Sequence, residues 1–421
     1  MQPSINIVGL GPDASGRLLT LEAVKVLSKA QLILVVPRLK GTVKKLCPRS
    51  AEILDIDKHV VERLPQLLED GVKAAHCNEV VIAVNGDPTF ASLGSRLYHR
   101  LARRGLKANI IPGISSLQLA AAKLGLDWAD SLILDLHAGG DEKALRKAIT
   151  MAELGLRVFT TLSPRVKAEN VAKLLSEAGF PSAKLFVCEN LGTCEERILT
   201  SHACALASEH TNYNAILIIE PLDKRLTYGI KDQEIYAPRE VPGPTKEEIR
   251  AITACKARLK PGHQVIEVGC GTGALTIELA LRVLPNGLVY AVDYRKEAVE
   301  ATIANVKRYG VAHVVKVVQG KAPEVLSTLN GKFAAAVIGG TRNLRDVIEV
   351  LDEDLLVENG RIVINAITAD SLTVSYQTLT KLNYDVEVTC CLIARTRRLK
   401  QHLAFSSLNP VFIIVGEKVK T

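Results

Sequence analysis

Short runs of β-branched and aliphatic residues recur along this chain, each separated from the next by a helix-length stretch of mixed apolar and polar positions. In the first half the runs are Ile5–Gly9, Leu32–Val36, Val80–Asn85, Ala108–Ile111, Leu132–Leu136, Val158–Leu162, Leu185–Cys188 and Asn214–Glu220. In the second half they are Val265–Gly269, Leu288–Asp293, Val314–Gln319, Ala334–Ile338, Arg361–Ile367, Val386–Ile393 and Val411–Val415. Runs of this length bounded by turn residues predict buried strands, and their alternation with helices predicts α/β layers around parallel strands.

The alternation breaks once. Between Leu222 and Thr245 stand Asp223, Lys224 and Arg225, then Pro238, Pro242, Gly243 and Pro244, with no apolar periodicity. This reads as a linker over 223–243 joining a domain of residues 1–222 to one of 244–421, as expected for 421 residues, more than one core usually organises. Lys246–Leu259 then predicts a helix with Ile249, Ile252 and Ala257 on one side.

Composition narrows the class without naming it. Hydrophobic residues at 48% and charged residues at 23% supply two soluble cores and argue against disorder. The longest apolar runs, Leu32–Val36 and Val411–Val415, are strand-sized, which predicts no membrane span. The opening Met1-Gln2-Pro3-Ser4 lacks the blocks of a signal peptide, so a cytoplasmic protein is expected. Nine cysteines without C-x-x-C or C-x-x-H spacing read as reduced thiols rather than a disulfide framework or a zinc site, and no metal is expected. The net charge of +8 suits either nucleic acid or a substrate with several carboxylates. Aromatic residues at 4% leave few platforms for stacking bases, which favours the second.

The sharpest motif is Val265-Ile266-Glu267-Val268-Gly269-Cys270-Gly271-Thr272-Gly273, a strand entering a glycine turn with a predicted helix from Ala274. Glycines let the backbone approach a ligand closely, and the helix start offers unpaired N–H groups. A dinucleotide site wants G-x-G-x-x-G around a pyrophosphate. Here the spacing is G-x-G-x-G, preceded by Glu267. A carboxylate there opposes a pyrophosphate but suits the ammonium of S-adenosylmethionine. The next strand ends at Asp293, about 20 residues on, where a carboxylate can accept both ribose hydroxyls. The two strands after the last long helix predict a hairpin closing a seven-stranded, Rossmann-like class I methyltransferase sheet, with a basic loop between them.

Further segments make a resemblance specific. Thr245-Lys246-Glu247-Glu248-Ile249-Arg250, the glycine turn, Gly320-Lys321-Ala322-Pro323, Ile338-Gly339-Gly340 and Asn409-Pro410-Val411-Phe412 occur in order. Over roughly residues 240 to 418 the chain resembles the cobalamin-pathway methyltransferases that methylate carbon 15 of the precorrin ring and remove a ring acetate carboxyl. The resemblance implies that Thr245, Gly269, Gly271, Gly273, Asp293, Gly320, Lys321 and Ala322 line the S-adenosylmethionine pocket. Lys321 departs from the acidic or polar residue common at its position, facing the adenine.

The first half carries Gly9-Leu10-Gly11-Pro12, Asn85-Gly86-Asp87-Pro88 and Pro112-Gly113-Ile114-Ser115-Ser116, each after a strand. Singly these are good turns and a good helix start. In order, together with Thr160-Thr161-Leu162-Ser163-Pro164, Glu189-Asn190-Leu191-Gly192 and Asn212-Tyr213-Asn214, they resemble the tetrapyrrole methylases, a class III fold of two α/β lobes with the cofactor between them. Within that superfamily the likeness is to the precorrin carbon-5 methyltransferases, over roughly residues 4 to 222. It implies cofactor contacts at Pro12, Gly86, Asp87, Ser115, Ser116 and Thr161. The first loop departs from G-x-G-P-G, since Asp13 follows Pro12. Both domains in one chain are similar to the bifunctional precorrin carbon-5,15 methyltransferases.

The implied chemistry needs no metal and no nucleophilic triad, because a sulfonium methyl is already electrophilic and the macrocycle supplies the electrons. No catalytic side chain is singled out. Arg395, Arg397 and Arg398, with Lys400, are candidates to grip the substrate's carboxylates, as are Arg38, Lys40, Lys44 and Lys45; a solvated basic surface is the alternative at each place. The resemblance implies a homo-oligomer and a tetrapyrrole partner, with no nucleic acid or membrane. A competing reading, an S-adenosylmethionine-dependent RNA methyltransferase, fits the charge but leaves the second glycine domain unexplained. A non-enzymatic sensor or carrier predicts binding without turnover.

Overall fold

The computed structural model describes residues 4–13, 15–56, 78–136, 142–340 and 343–418, so Met1–Pro3 of the amino-terminal reading lie outside it. Two compact units emerge, one from the described parts of 1–141, 156–173 and 182–220, the other from those of 142–155, 174–181 and 221–421.

The first unit holds two five-stranded sheets. Strands β1 (Ser4–Gly9), β2 (Leu32–Val35), β3 (Glu52–Asp55), β4 (Glu79–Val84) and β5 (Ala108–Ile111) pair in the order β3-β2-β4-β1-β5, all parallel. Apolar residues line both faces: Ile5, Ile7, Leu34 and Ile82 pack on one side, Val8, Ile33, Val81 and Ala83 on the other. Burial on both faces explains why these strands read as unbroken apolar runs.

The second sheet comprises β6 (Leu132–Asp135), β7 (Val158–Thr161), β8 (Lys184–Glu189), β9 (Arg197–His202) and β10 (Ala215–Ile219), ordered β6-β7-β10-β8-β9. Only β6 and β7 are parallel; β10 runs against β7 and β8, and β9 against β8. The expectation of parallel strands throughout is therefore corrected here. The link from β8 to β9 is too short for a crossover and can close only an antiparallel pair.

The second unit is built on β11 (Gln264–Val268), β12 (Leu288–Asp293), β13 (Val315–Gln319), β14 (Phe333–Ile338), β15 (Leu356–Ala366), β16 (Tyr384–Cys391) and, after a ribbon of β17 (Ala394–Leu399) and β18 (His402–Ser407), β19 (Val411–Lys418). The main sheet runs β13-β12-β11-β14-β15-β19-β16, with β19 antiparallel to both neighbours. The closing hairpin is thus present. The basic stretch expected as a loop is instead the antiparallel β17–β18 ribbon. Its charged and polar residues are mostly exposed, so no burial pattern marked it as strand. Strand order reverses at β11, which opens a crevice beyond the carboxyl ends of β11, β12 and β14.

Among the described residues the eight cysteines are free thiols, no helix is long and apolar enough to cross a membrane, and no group of His, Cys, Asp and Glu side chains has the arrangement of a metal site.

Candidate active sites

At the reversal point in the second unit, Gly269, Gly271 and Gly273 all adopt positive φ, at 83°, 57° and 77°. Gly273 has a second reason to be glycine, since a Cβ would stand 2.9 Å from the Thr302 side chain. Helix Ala274–Val283 begins at this residue with no side-chain cap, leaving its first N–H groups to a ligand. The turn is tied from behind: Thr302 Oγ1 donates to the Gly271 carbonyl at 3.0 Å, and Asn305 Nδ2 donates to the Thr272 carbonyl at 2.8 Å. Thr302 and Asn305 are fully buried. Sequence reasoning missed both, since two polar positions on the buried side of a helix are their only trace.

The crevice is a cavity of about 1070 Å³ whose lining includes Thr245, Glu267, Gly269, Gly271, Asp293, Gly320, Lys321 and Ala322. Gly273 stands at the helix start rather than among the lining residues. Glu267 is 3% exposed, and its Oε2 accepts from the Thr276 hydroxyl. Burial raises its pKa to about 8, with Asp293 adding to the rise and the Thr276 hydrogen bond opposing it. Asp293 closes β12, where Oδ2 accepts from the Gly271 N–H at 3.0 Å and Oδ1 from the Arg295 N–H at 3.0 Å. The Arg295 guanidinium also lies on this carboxylate, with Nε at 3.1 Å from Oδ1 and Nη2 at 3.1 Å from Oδ2. Arg295 is a site residue that the sequence reading left out. Lys321 is exposed at the cavity wall, and the Gly320 N–H donates to the Asp293 carbonyl at 3.0 Å.

The segment entering this domain is fixed by Arg250, a residue 1% exposed that donates to Asp232 at 2.6 Å and to the carbonyls of Thr245 and Ile230. Arg395 joins the same cluster, with Nε at 2.8 Å from Glu248 and Nη1 at 2.8 Å from Asp232. Its head group therefore braces the ribbon against helix Glu247–Lys256. Arg397 and Arg398 project from β17, exposed. Ser407, at the end of β18, reaches the cavity.

In the first unit the three loops meet at the carboxyl edge of the parallel sheet. Gly11 and Gly86 exchange backbone hydrogen bonds at 3.3 and 3.0 Å. A Cβ on Gly9 would stand 2.6 Å from the Gly86 carbonyl oxygen, and one on Gly113 would stand 2.5 Å from it. Asp87 links the second loop to the third, its Oδ2 accepting from the Gly113 N–H at 3.1 Å. Pro12 is buried in the first loop. Ser115 caps the helix that Ser116 begins, in a reciprocal box with Gln118. Thr161 ends β7 in the other sheet, donating to Asp135 and accepting from the Leu136 N–H at 3.1 Å. The side chains of Asp87 and Ser115 thus hold the loops, Thr161 ties β7 to the end of β6, and backbone forms much of the surface where the loops meet. Asp13, the departure in the first loop, is buried and accepts from the Ser15 N–H at 2.7 Å. A Cβ on Gly192 would come within 2.9 Å of the Asp13 backbone, which brings the β8–β9 loop against the first loop.

A sheet of this order, with a glycine turn after β11 and a buried acid closing β12, defines a Rossmann-like methyltransferase fold. Residues 4–207 match the family of tetrapyrrole (corrin/porphyrin) methylases, and residues 243–418 match the precorrin methyltransferase domain. A probable cobalt-precorrin-6B C(15)-methyltransferase (decarboxylating) from Sulfolobus acidocaldarius is 40% identical over 190 residues, 45% of this chain and 97% of that protein. A protein of the same name from Methanothermobacter thermautotrophicus is 36% identical over 185 residues, 44% of this chain and 94% of its own length. A solved structure titled precorrin-6y C5,15-methyltransferase, from Geobacter metallireducens, is 33% identical, covering 45% of this chain and 97% of that one at a TM-score of 0.42. The chain belongs to the precorrin methyltransferase family, with a tetrapyrrole methylase domain ahead of its precorrin methyltransferase domain.

Proposed function

We propose that this chain methylates a precorrin or cobalt-precorrin at ring carbons 5 and 15 and removes a ring acetate carboxyl, with S-adenosylmethionine as donor, in cobalamin biosynthesis. Residues 1–222 serve carbon 5, and residues 244–421 serve carbon 15 and the decarboxylation. The observation that carries this reading is the cavity at the β11 reversal, where Glu267 and Asp293 face one space beside the glycine turn, in a chain of which 190 residues are 40% identical to a protein named a probable carbon-15 methyltransferase.

The residues fit the donor. Glu267, desolvated and bonded to one hydroxyl, would hold its ammonium; Asp293, beside Arg295, would hold the ribose diol; and the uncapped N–H groups at the start of helix Ala274–Val283 would hold its carboxylate. S-adenosylmethionine brings a methyl group already activated on a sulfonium. The chain's part is to align that group with the ring carbon, exclude water and hold the carboxylated rim of the macrocycle. Pro12, Gly86, Asp87, Ser115, Ser116 and Thr161 form the second donor site in the amino-terminal domain. Arg397 and Arg398 meet substrate carboxylates, while Arg395 positions the ribbon that carries them. The free thiols support a cytoplasmic enzyme, and we expect it to work as a homo-oligomer on the tetrapyrrole alone.

The test is turnover with labelled S-adenosylmethionine, on metal-free and cobalt-loaded precorrin in parallel, followed by mass spectrometry. The expected product has gained two methyl groups and lost one carbon dioxide. Unchanged substrate in both arms would sink the proposal.

A further inference from the structure

The carboxy-terminal cavity has two ends. One lies over β12 and β13, where Asp293 and Gly320 stand; the other lies over β14 and β15, on the far side of the β11 reversal. A donor bound through Asp293 and the glycine turn occupies the first end, which leaves the second for the acceptor. Its wall carries carboxamides from three separate segments: Asn343 after β14, Asn365 in β15 and Asn409 before β19.

Asn365 is distinguished by what stands behind it. Its Oδ1 accepts from Thr253 Oγ1 at 2.9 Å, and Thr253 is fully buried in helix Glu247–Lys256. That bond places the oxygen end of the amide toward Thr253. With Oδ1 taken, the Nδ2 donors are turned to the cavity, and among the described residues they meet no other partner. A buried hydroxyl that serves only to orient a half-buried amide is the arrangement of a positioned donor.

We infer that Asn365 holds the acetate carboxylate that the enzyme expels, with Thr253 as its positioning residue; this rests on the function proposed above. In the step, the bond between the acetate methylene and its carboxylate carbon breaks. The carboxylate leaves as carbon dioxide, the bonding electron pair passes into the conjugated macrocycle, and a proton later taken up at the methylene carbon leaves a methyl group. Negative charge thus moves off the carboxylate as the reaction proceeds. A cation on that group would hold the charge where it starts and oppose the step, whereas a neutral N–H donor orients it with less bias toward the ground state.

The test uses the full chain and reads both methylations, carbon dioxide loss and S-adenosylhomocysteine affinity. In N365A, carbon dioxide loss falls about 10- to 100-fold, the span expected for one lost hydrogen bond to a charged group. Carbon-5 methylation and S-adenosylhomocysteine affinity hold. N365D falls further through like-charge repulsion. T253V moves the same way by a smaller factor, and T253S, which keeps the hydroxyl, restores the rate. N365S gives the same reading if N365A unfolds. Wild-type decarboxylation in folded N365A or N365S overturns the inference, as does a loss matched by equal loss of S-adenosylhomocysteine binding. A wild-type chain that neither methylates nor decarboxylates would instead sink the parent proposal.

Discussion

The two glycine sites of this molecule solve ligand approach differently. In the carboxy-terminal unit the turn is open at its centre, with nothing within 4 Å of a Cβ placed on Gly271, and selectivity lies in two buried carboxylates, Glu267 and Asp293. In the amino-terminal unit the glycines touch: Gly9, Gly86 and Gly113 pack backbone on backbone, and the nearby acid Asp87 spends its hydrogen bonds on the loops themselves. One site presents charge and the other presents shape. The former should be sensitive to pH and charge, the latter to a single methyl group.

The largest effect that comparison predicts is steric. In G113A the new methyl meets the Gly86 oxygen and the Gly9 backbone at 2.5–2.8 Å, and neither is the end of a flexible side chain. Overpacking of this kind costs about 1–3 kcal/mol or more. Carbon-5 methylation should vanish and the amino-terminal unit should lose stability, while the carbon-15 product still forms, as product masses and unfolding curves would show. G271A gives the contrast: its φ of 57° strains an alanine, but no neighbour clashes, so its loss should be smaller.

Next in size is Asp293→Ala. Removing an acceptor for the ribose should weaken S-adenosylhomocysteine binding at the carboxy-terminal site about 10- to 100-fold and abolish carbon-15 chemistry, leaving carbon-5 methylation intact. Calorimetry and product masses check both halves of this.

Glu267 supplies the pH test. Its carboxyl keeps its proton in the folded chain up to about pH 8, against an ordinary value of 4.5. Between those values the unfolded chain is ionised and the folded chain is not. Stability is therefore full at the acid end of the window and declines as pH rises, levelling off above about 8. A bound ammonium pulls the pKa back down, so donor binding near neutral pH should release a proton, read as a binding heat that varies with buffer ionisation enthalpy. E267Q should remove both effects; a buffer-independent heat in the wild type would contradict the assignment.

The smallest effects belong to the basic ribbon. Arg395 is partly exposed, and its ion pairs should be worth about 1 kcal/mol or less, so R395A shifts the unfolding midpoint slightly. R397A/R398A should leave stability unchanged and raise the KM for the precorrin a few-fold, more so at low salt.

What the sequence disclosed follows the same division. Strands buried on both faces, such as β1, β4, β11 and β12, announce themselves as apolar runs, and their ends fell within a residue of the observed ones. Edge strands β3 and β9 and the β17–β18 ribbon did not, because they are largely exposed and mix polar with apolar residues in no period set by a core. Glu267, Asp293 and the glycine turn were legible because charge at a strand end has few other uses. Arg295, Thr302, Asn305 and Thr253 were not, since each acts on another residue brought near only by the fold. The backbone contacts of Gly9 and Gly113 leave no side chain to read.

The account stands on each unit having its own place for the adenosyl donor. Titration of the full chain with S-adenosylhomocysteine, repeated with D293A and G113A, addresses this most directly. Two equivalents should bind per wild-type chain, with a different one weakened in each variant. A single equivalent in the wild type, or one equivalent weakened by both substitutions, would contradict it.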